Sequence, residues 1–468
     1  MAFHFAFARA FACVKRMSFP TDTIAALATP VGTSAIAVVR VSGSEAFGLT
    51  RSIFGETPPP RMARHADYRD IRGELVDDVL FTHFAGPNSF TGEDSLEISC
   101  HGNPFIAQKI LEDLLARGCQ PAEAGEFSKR AFLNGRMDLS QAEAIMDLIH
   151  ARSERALAAA NQQLRGALER KMNGLISILI NVLANVEAYI DFPDEDLPAE
   201  ESQLILSELE KLLAGTTQLL ATSHYGELLR EGIKTIIVGE PNAGKSSLLN
   251  RLVGRERALV SPEPGTTRDY LEERIIVGPH WLRLIDTAGL NPTPGTLEKQ
   301  GIDKTLEQAD TADLFIWVID SSRPTPLLPD ALTERMTTAN TIVVYNKTDL
   351  PSFAENIDKA EVSFPFVRIS ALQGSGLETL QLAVTKLAES FQIKVGDDLI
   401  AINSRHAHSL QQAITCLKSA QAKISDNISS DLMASDLRGA LESFGEISGK
   451  IDNEKILDKL FATFCIGK

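Results

Sequence analysis

Hydrophobic positions along this chain change their period three times. Ala35–Val41, Val79–Phe84 and Ser95–Ser99 are short apolar runs bounded by glycine, proline and asparagine, and they predict strands. Ile106–Arg117 predicts a helix closed by Gly118. From Ser140 to Tyr189 the spacing shifts to three and four. Ala144, Ile145, Leu148 and Ile149, then Leu175, Ile178, Leu179, Val182, Leu183 and Val186, predict long amphipathic helices with Gly166 and Gly174 as candidate breaks. A further helix is expected over 202–220. Compact runs then return as strands at Ile233–Val238, Trp281–Ile285 and Thr341–Tyr345, with Ser247–Val253 as a helix. After Glu389 helical spacing resumes over 404–424 and 437–464.

This order predicts a multidomain chain: an α+β N-terminal domain, an all-α helical domain in two segments, and an α/β phosphate-loop domain inserted between them. The expected bounds are an extension over 1–21, the N-terminal domain over 22–134, helical segments over 135–230 and 390–468, and the inserted domain over 231–389. A plain string of three domains is the alternative. Two or three C-terminal helices bury their faces better against the earlier helices than alone. A length of 468 residues fits about three domains of roughly 150 each.

Net charge is −16, which argues against a free-standing nucleic-acid binder held by broad phosphate contacts. The acidic cluster from Asp191 to Glu201 reads as a solvated loop and helix start. Five scattered cysteines without a C-x-x-C pair point to a reducing compartment, the cytoplasm, and to no structural zinc. No apolar run reaches the ~18 residues of a membrane span, so no membrane partner is expected. Residues 1–16 are apolar and lack acids; they read as an unstructured extension or an upstream start rather than a targeting peptide.

Candidate chemistry begins at Gly239-Glu-Pro-Asn-Ala-Gly-Lys-Ser246, a G-x-x-x-x-G-K-[ST] loop between a predicted strand and helix. Main-chain N–H groups of Asn242, Ala243, Gly244 and the helix start at Ser246 and Ser247 would curl around phosphates. Lys245 would reach the β- and γ-phosphates and Ser246 would ligate Mg²⁺. Asn346-Lys347-Thr348-Asp349 names the base, because an Asp carboxylate accepts two hydrogen bonds from guanine and would be left unpaired by adenine. Asn346 would tether the phosphate loop, and Ser370-Ala371-Leu372 would back the base with main-chain N–H groups. Asp286-Thr287-Ala288-Gly289 would hold Mg²⁺ through water and sense the γ-phosphate, and Thr267 in Gly265-Thr-Thr-Arg-Asp269 would add a second hydroxyl on the metal. Any one piece alone reads as an ordinary turn; five in order, each beside a suitable strand, specify a GTP-binding domain.

With these motifs, the loop Gly86-Pro-Asn-Ser-Phe-Thr-Gly-Glu-Asp94, the segment Gly125–Gly135 and the ending Phe464-Cys-Ile-Gly-Lys468, the chain closely resembles the MnmE (TrmE) family of tRNA-modification GTPases from about Asp22 onward. The resemblance implies a folate-binding N-terminal domain that dimerises, so that the protein is a homodimer. It implies an FAD-dependent MnmG (GidA) partner and a tRNA substrate that gains an aminomethyl or carboxymethylaminomethyl group at C5 of the wobble uridine. A formyl- or methylene-tetrahydrofolate would supply the carbon. Folate contacts map onto Arg40, Glu97, Arg136 and Lys468. Leu290 stands where many GTPases carry a water-orienting Gln, so the resemblance assigns that role to Glu298. It also implies a K⁺ held by Asn242 and by Ser261, Glu263 and Thr266. Cys465 has three readings: a buried small hydrophobe, a prenylation box that its flanks fit poorly, and a thiol taking part in chemistry beside Lys468. The competing function is a GTP-controlled RNA- or ribosome-assembly switch without covalent chemistry, although no G-x-x-G RNA-binding loop follows the nucleotide motifs.

Overall fold

The structure, a computed structural model, describes residues 22–191, 199–256, 272–286, 306–350, 364–392, 399–425, 430–449 and 460–467. The chain divides into two compact units, Met1–Ala142 with Ile451–Lys468, and Glu143–Lys450. The first unit is built on β1 (Ile24–Leu27), β2 (Ile36–Ser42), β3 (Ala63–Arg69), β4 (Leu75–Phe84), β5 (Ser95–His101) and β6 (Gln120–Pro121), with α1 (Ala46–Phe54), α2 (Pro104–Ala116) and α3 (Glu126–Leu133). Its sheet order is β3-β4-β5-β2-β1-β6, antiparallel except for the β1–β6 pair. Val39, Val41, Leu96 and Ile98 point to one face and pack with Phe81, Ile110 and Leu114. The period-2 alternation turns Arg40 and Glu97 to the other face, and the β2–β5 register sets them opposite one another.

Helix α3 carries Arg130, only 2% exposed. Its guanidinium bonds Glu126 at 2.7 Å, Glu93 at 3.3 Å and Asp22 at 3.3 Å. Burial alone would lower its pKa; the Glu126 and Glu93 carboxylates outweigh that and hold it above the ordinary value. Through Glu93 this node fixes the polar loop 86–94, whose Ser42–Thr91 hydroxyl pair lies 2.6 Å apart.

In the second unit, α4 (Leu139–His150, which enters from the first), α5 (Glu154–Leu164), α6 (Ala167–Asp191), α7 (Ala199–Ala221) and α8 (Ser223–Glu231) precede the nucleotide fold. The long helical stretch breaks at 151–153 and at 165–166. Gly166 marks the second break with a φ of +78°, whereas Gly174 lies inside α6. The nucleotide fold comprises β7 (Ile233–Val238), α9 (Lys245–Glu256), β8 (Glu272–Val277), β9 (His280–Asp286), β10 (Leu314–Asp320), α10 (Asp330–Thr333), β11 (Thr341–Asn346), β12 (Phe366–Arg368) and α11 (Leu377–Ser390). Its sheet runs β12-β11-β10-β7-β9-β8, parallel but for the β8–β9 hairpin. The helices α12 (Ser404–Ser425) and α13 (Ser430–Ser448) then return to the helical core. There Leu410, Leu417, Leu437 and Phe444 pack on Leu179, Val186, Leu209 and Leu212.

Two expectations change. Helix α13 ends at Ser448, and the last described residues, 460–467, pack in the N-terminal unit, where the sequence carried helical structure through 464 and the helical segment through 468. Ala167–Ile190 is long and apolar enough to cross a membrane by length and mean hydropathy, although no single apolar run predicted it. Its Leu175, Leu179, Val182 and Val186 belong to the packed helical core, which accounts for an apolar stripe without a bilayer.

Glu143 ties the helices together. It bonds Arg405 at 2.9 and 3.0 Å, Arg405 reaches the Glu446 carbonyl at 2.7 Å, and His406 Nε2 lies 2.7 Å from Glu143. Burial lowers the His406 pKa, against the raising effect of the Glu143 carboxylate. Burial opposes ionisation of Glu143 too, but its cationic and hydrogen-bonding neighbours outweigh it and hold the carboxyl far below the usual range. A depressed carboxylate stabilises fully above its unfolded pKa of about 4.3, and that contribution is lost as pH falls toward the folded value. Glu143→Gln is therefore expected to cost about 3 kcal/mol at pH 7 in urea unfolding. The gap to the parent should narrow between about pH 4.5 and pH 3; a gap independent of pH would contradict the assignment.

Candidate functional site

Strand β7 ends at Val238 and delivers the chain into the phosphate loop. Asn242 sits at φ +65° and Gly244 at φ +97°. A Cβ on Gly244 would lie 2.2 Å from Asn346 Nδ2, so the close approach of the two loops requires glycine there. Lys245, 6% exposed, donates to the Gly239 and Glu240 carbonyls at 3.0 and 2.9 Å. Its ammonium is thereby held inside the loop. Ser246 and Ser247 follow in the first turn of α9, where the partial positive charge of the helix start favours an anion.

Asn346, at the end of β11 and 2% exposed, bridges the two loops. Its Nδ2 donates to Ala243 O at 2.8 Å, and its Oδ1 accepts from the Ala371 N–H at 2.9 Å. Lys347, at φ +65°, places Nζ 2.7 Å from Asp320 at the end of β10. Burial would raise the Asp320 pKa, but hydrogen bonds from Lys347 and Ser322 hold it below the usual range. Asp349 Oδ1 is buried and has no hydrogen-bond partner among the described residues. A buried, unpartnered carboxylate oxygen beside a loop rich in main-chain donors fits a guanine N–H edge. Ser370 and Ala371 are buried, and Leu372 is 75% exposed. Sequence reasoning missed two residues here. Asp320 was signalled only by an apolar run ending in an acid. Arg251 on α9, which donates to the Ala371 and Leu372 carbonyls at 3.1 and 2.6 Å, had no signal.

Ser261, Glu263, Thr266, Thr267, Thr287, Ala288, Gly289 and Glu298 lie outside the described residues, as does Lys468. Asp286 closes β9, but its side chain is not among those described. Among the described residues no three His, Cys, Asp or Glu side chains form a metal-binding cluster.

A second constellation lies in the N-terminal unit. Arg40 pairs with Glu97 at 2.8 Å, and its guanidinium stands 5.3 Å from the Phe90 ring centroid and 5.8 Å from that of Phe127. The chain's end folds onto this place: Arg40 Nη1 donates to Gly467 O at 3.3 Å, and Ala124 bridges Ile466. Phe461 and Phe464 are buried. Gly467, at φ +92°, presses so closely on β1 that a Cβ would sit 2.3 Å from Leu27 O. Cys465 is exposed, which removes the buried-hydrophobe reading of it. Arg136 is exposed, its stem beside Gly92.

The family model described as "MnmE helical domain" matches residues 139–465, and that described as "GTP-binding protein TrmE N-terminus" matches residues 23–136. The chain is 56% identical to the tRNA modification GTPase MnmE of Opitutus terrae, over 96% of this chain and 99% of that protein. It is 43% identical to the protein of that name from Akkermansia muciniphila, over 97% of this chain and 100% of the relative.

The expectation that Asp349 reads the base can be tested directly. Asp349→Asn replaces a carboxylate oxygen with an amide donor and is expected to weaken GDP binding at least ~100-fold while improving xanthosine diphosphate. Calorimetric titration of both nucleotides measures this, and unchanged GDP affinity would remove Asp349 from the base site.

Proposed function

The chain belongs to the MnmE family of tRNA modification GTPases, and from that premise we propose that it modifies C5 of the wobble uridine of certain tRNAs, adding an aminomethyl or carboxymethylaminomethyl group. As a GTPase of this family it binds and hydrolyses GTP with Mg²⁺ and acts on tRNA. In the proposal it works as a homodimer with an FAD-dependent partner of the MnmG (GidA) family. A formyl- or methylene-tetrahydrofolate, when bound, supplies the one-carbon unit.

The observation that carries the reading is the tail. Gly467 accepts from Arg40, and Arg40 is held between Glu97 and two aromatic rings. A guanidinium flanked by rings, with a carboxylate beside it, suits a flat heterocycle that carries both donors and a carboxylate tail. Arg136 and Lys468 would add positive charge for that tail. Cys465, exposed two residues before Gly467, would stand near the reacting carbon.

At the nucleotide, Ser246, Thr267 and Asp286 would hold Mg²⁺, Asp286 through water. Asn242, Ser261, Glu263 and Thr266 would hold K⁺, whose charge takes the place of an arginine finger. Gly289 would sense the γ-phosphate, and Glu298 would orient the attacking water.

Two experiments test the halves separately. Removing residues 465–468 is expected to abolish the modified wobble uridine in hydrolysed tRNA while GTP affinity is kept. Cys465→Ser, which keeps shape but supplies no thiolate at neutral pH, should do the same if the thiol reacts. Full modification by the truncated protein would sink the folate reading of the tail.

Hydrolysis should run faster in KCl than in NaCl at equal ionic strength. Glu298→Ala should lower turnover by roughly 10²-fold with GTP affinity spared. Equal rates in the two salts would remove K⁺, and normal turnover would remove Glu298.

A further inference from the structure

The loop that backs the base is gripped from beneath by a side chain outside every nucleotide motif. Arg251 lies on the exposed side of α9, six residues after Lys245. Its Nε donates to Ala371 O at 3.1 Å and its Nη2 to Leu372 O at 2.6 Å. On the other side of the same residue, the Ala371 N–H is bound to Asn346 Oδ1 at 2.9 Å. Gly374, in the tight turn that follows, packs on the guanidinium at 3.8 Å from Cζ, measured from a Cβ placed on it. That turn is closed by Gly374 N–H to Ser370 O at 2.7 Å and by Ser370 N–H to Ser375 O at 3.1 Å.

The consequence concerns the next peptide. In a trans peptide the C=O and N–H point in opposite directions. Drawing the Ala371 carbonyl toward α9 therefore turns the Leu372 N–H away from the helix. The Ala371 N–H is occupied by Asn346, whereas among the described residues the Leu372 N–H has no hydrogen-bond partner. Hydrogen bonding of a carbonyl to a charged donor also polarises its peptide and strengthens the N–H of that unit.

We propose that Arg251 is a positioning residue for guanine: by holding the Ala371 and Leu372 carbonyls it orients and strengthens the Leu372 N–H as a donor to the 6-oxo group of the base. The two base contacts are then separate. Asp349 reads the N–H edge, and the Arg251-oriented peptide reads the oxygen. The inference rests on guanine lying against Asp349. It also gives the phosphate-loop helix a direct hold on the base loop, independent of Asn346.

The test compares GDP with 6-thio-GDP, in which a poor acceptor replaces the 6-oxygen while the N–H edge is kept, and with inosine diphosphate, which lacks the 2-amino group. Arg251→Met keeps the stem and removes the fork. It is expected to weaken GDP roughly tenfold and 6-thio-GDP no more than about twofold in calorimetric titration. Arg251→Lys, which reaches one carbonyl at a time, should fall between. Inosine diphosphate should lose as much as GDP, because it retains the oxygen. Equal losses for GDP and 6-thio-GDP would make Arg251 a mere prop of the fold and overturn the proposal, as would no loss at all. If the parent protein bound inosine diphosphate as tightly as GDP, the Asp349 reading would fail first, and the proposal would fall with it.

Discussion

The second unit depends on a closure. The chain leaves the helical segment after Glu231, builds a whole nucleotide fold, and returns at Leu399. An insertion of that size is tolerated only where its two ends are held together. Arg230 does this: it forms a bidentate pair with Asp147 at 2.9 Å and donates to Ile402 O at 3.1 Å. Gly226 lies so close to the Ile402 carbonyl that a Cβ would reach 2.2 Å from it. Leu399 N–H donates to Gln162 on α5. A short distance on, Arg405 spans Glu143 and the end of α13. Loop-closure entropy is offset once, by a cluster of charge-assisted bonds, and the helices before and after the insertion then share one apolar core.

The same unit shows why the nucleotide site is an assembly of loops at strand ends. In a parallel sheet the strands deliver their carboxyl ends to one edge, and here β7, β10 and β11 carry the phosphate loop, Asp320 and Asn346 there. Asn346 then bonds the loops on either side of it, and Gly244 lets them touch. The β8–β9 hairpin continues the coupling away from the site. Trp281 is flanked by Arg274 of the hairpin and Arg152 of the helical segment, with guanidinium-to-ring distances of 5.6 and 5.0 Å. Arg155 donates its N–H to Pro279 O at the turn. The hairpin joins the two stretches that hold Thr267 and Gly289, and it is one place where helical and nucleotide parts meet.

In the N-terminal unit a buried cation, Arg130, organises the loop that bears Phe90 by drawing Asp22, Glu93 and Glu126 to one point. Burying one partner of such a node is costly unless all are present, so the node also fixes α3 against the sheet edge. The tail docks at that edge through Phe461, Phe464 and Gly467. Glycine is required at Gly125 as well, where a Cβ would lie 2.6 Å from Phe461 O.

What the sequence determined by itself was local. Apolar period separated strands from helices, and Asn346-Lys347-Thr348-Asp349 with the phosphate loop named guanine, because these residues act within a few positions of one another. The breaks in the helical stretch were harder: Gly174 carries the same composition signal as Gly166, but an α-helix tolerates glycine where neighbours pack, and only packing distinguished them. Tertiary structure alone decided three things. Strand register set Arg40 opposite Glu97, since a slip of one residue would turn both to the core. Closure of the fold brought Arg251 of α9 under Ala371, 120 positions away, a contact no local pattern encodes. And the chain's end left the helical segment to lie on β1, because its two buried phenylalanines and a glycine with positive φ fit a groove that exists only once the N-terminal sheet has formed.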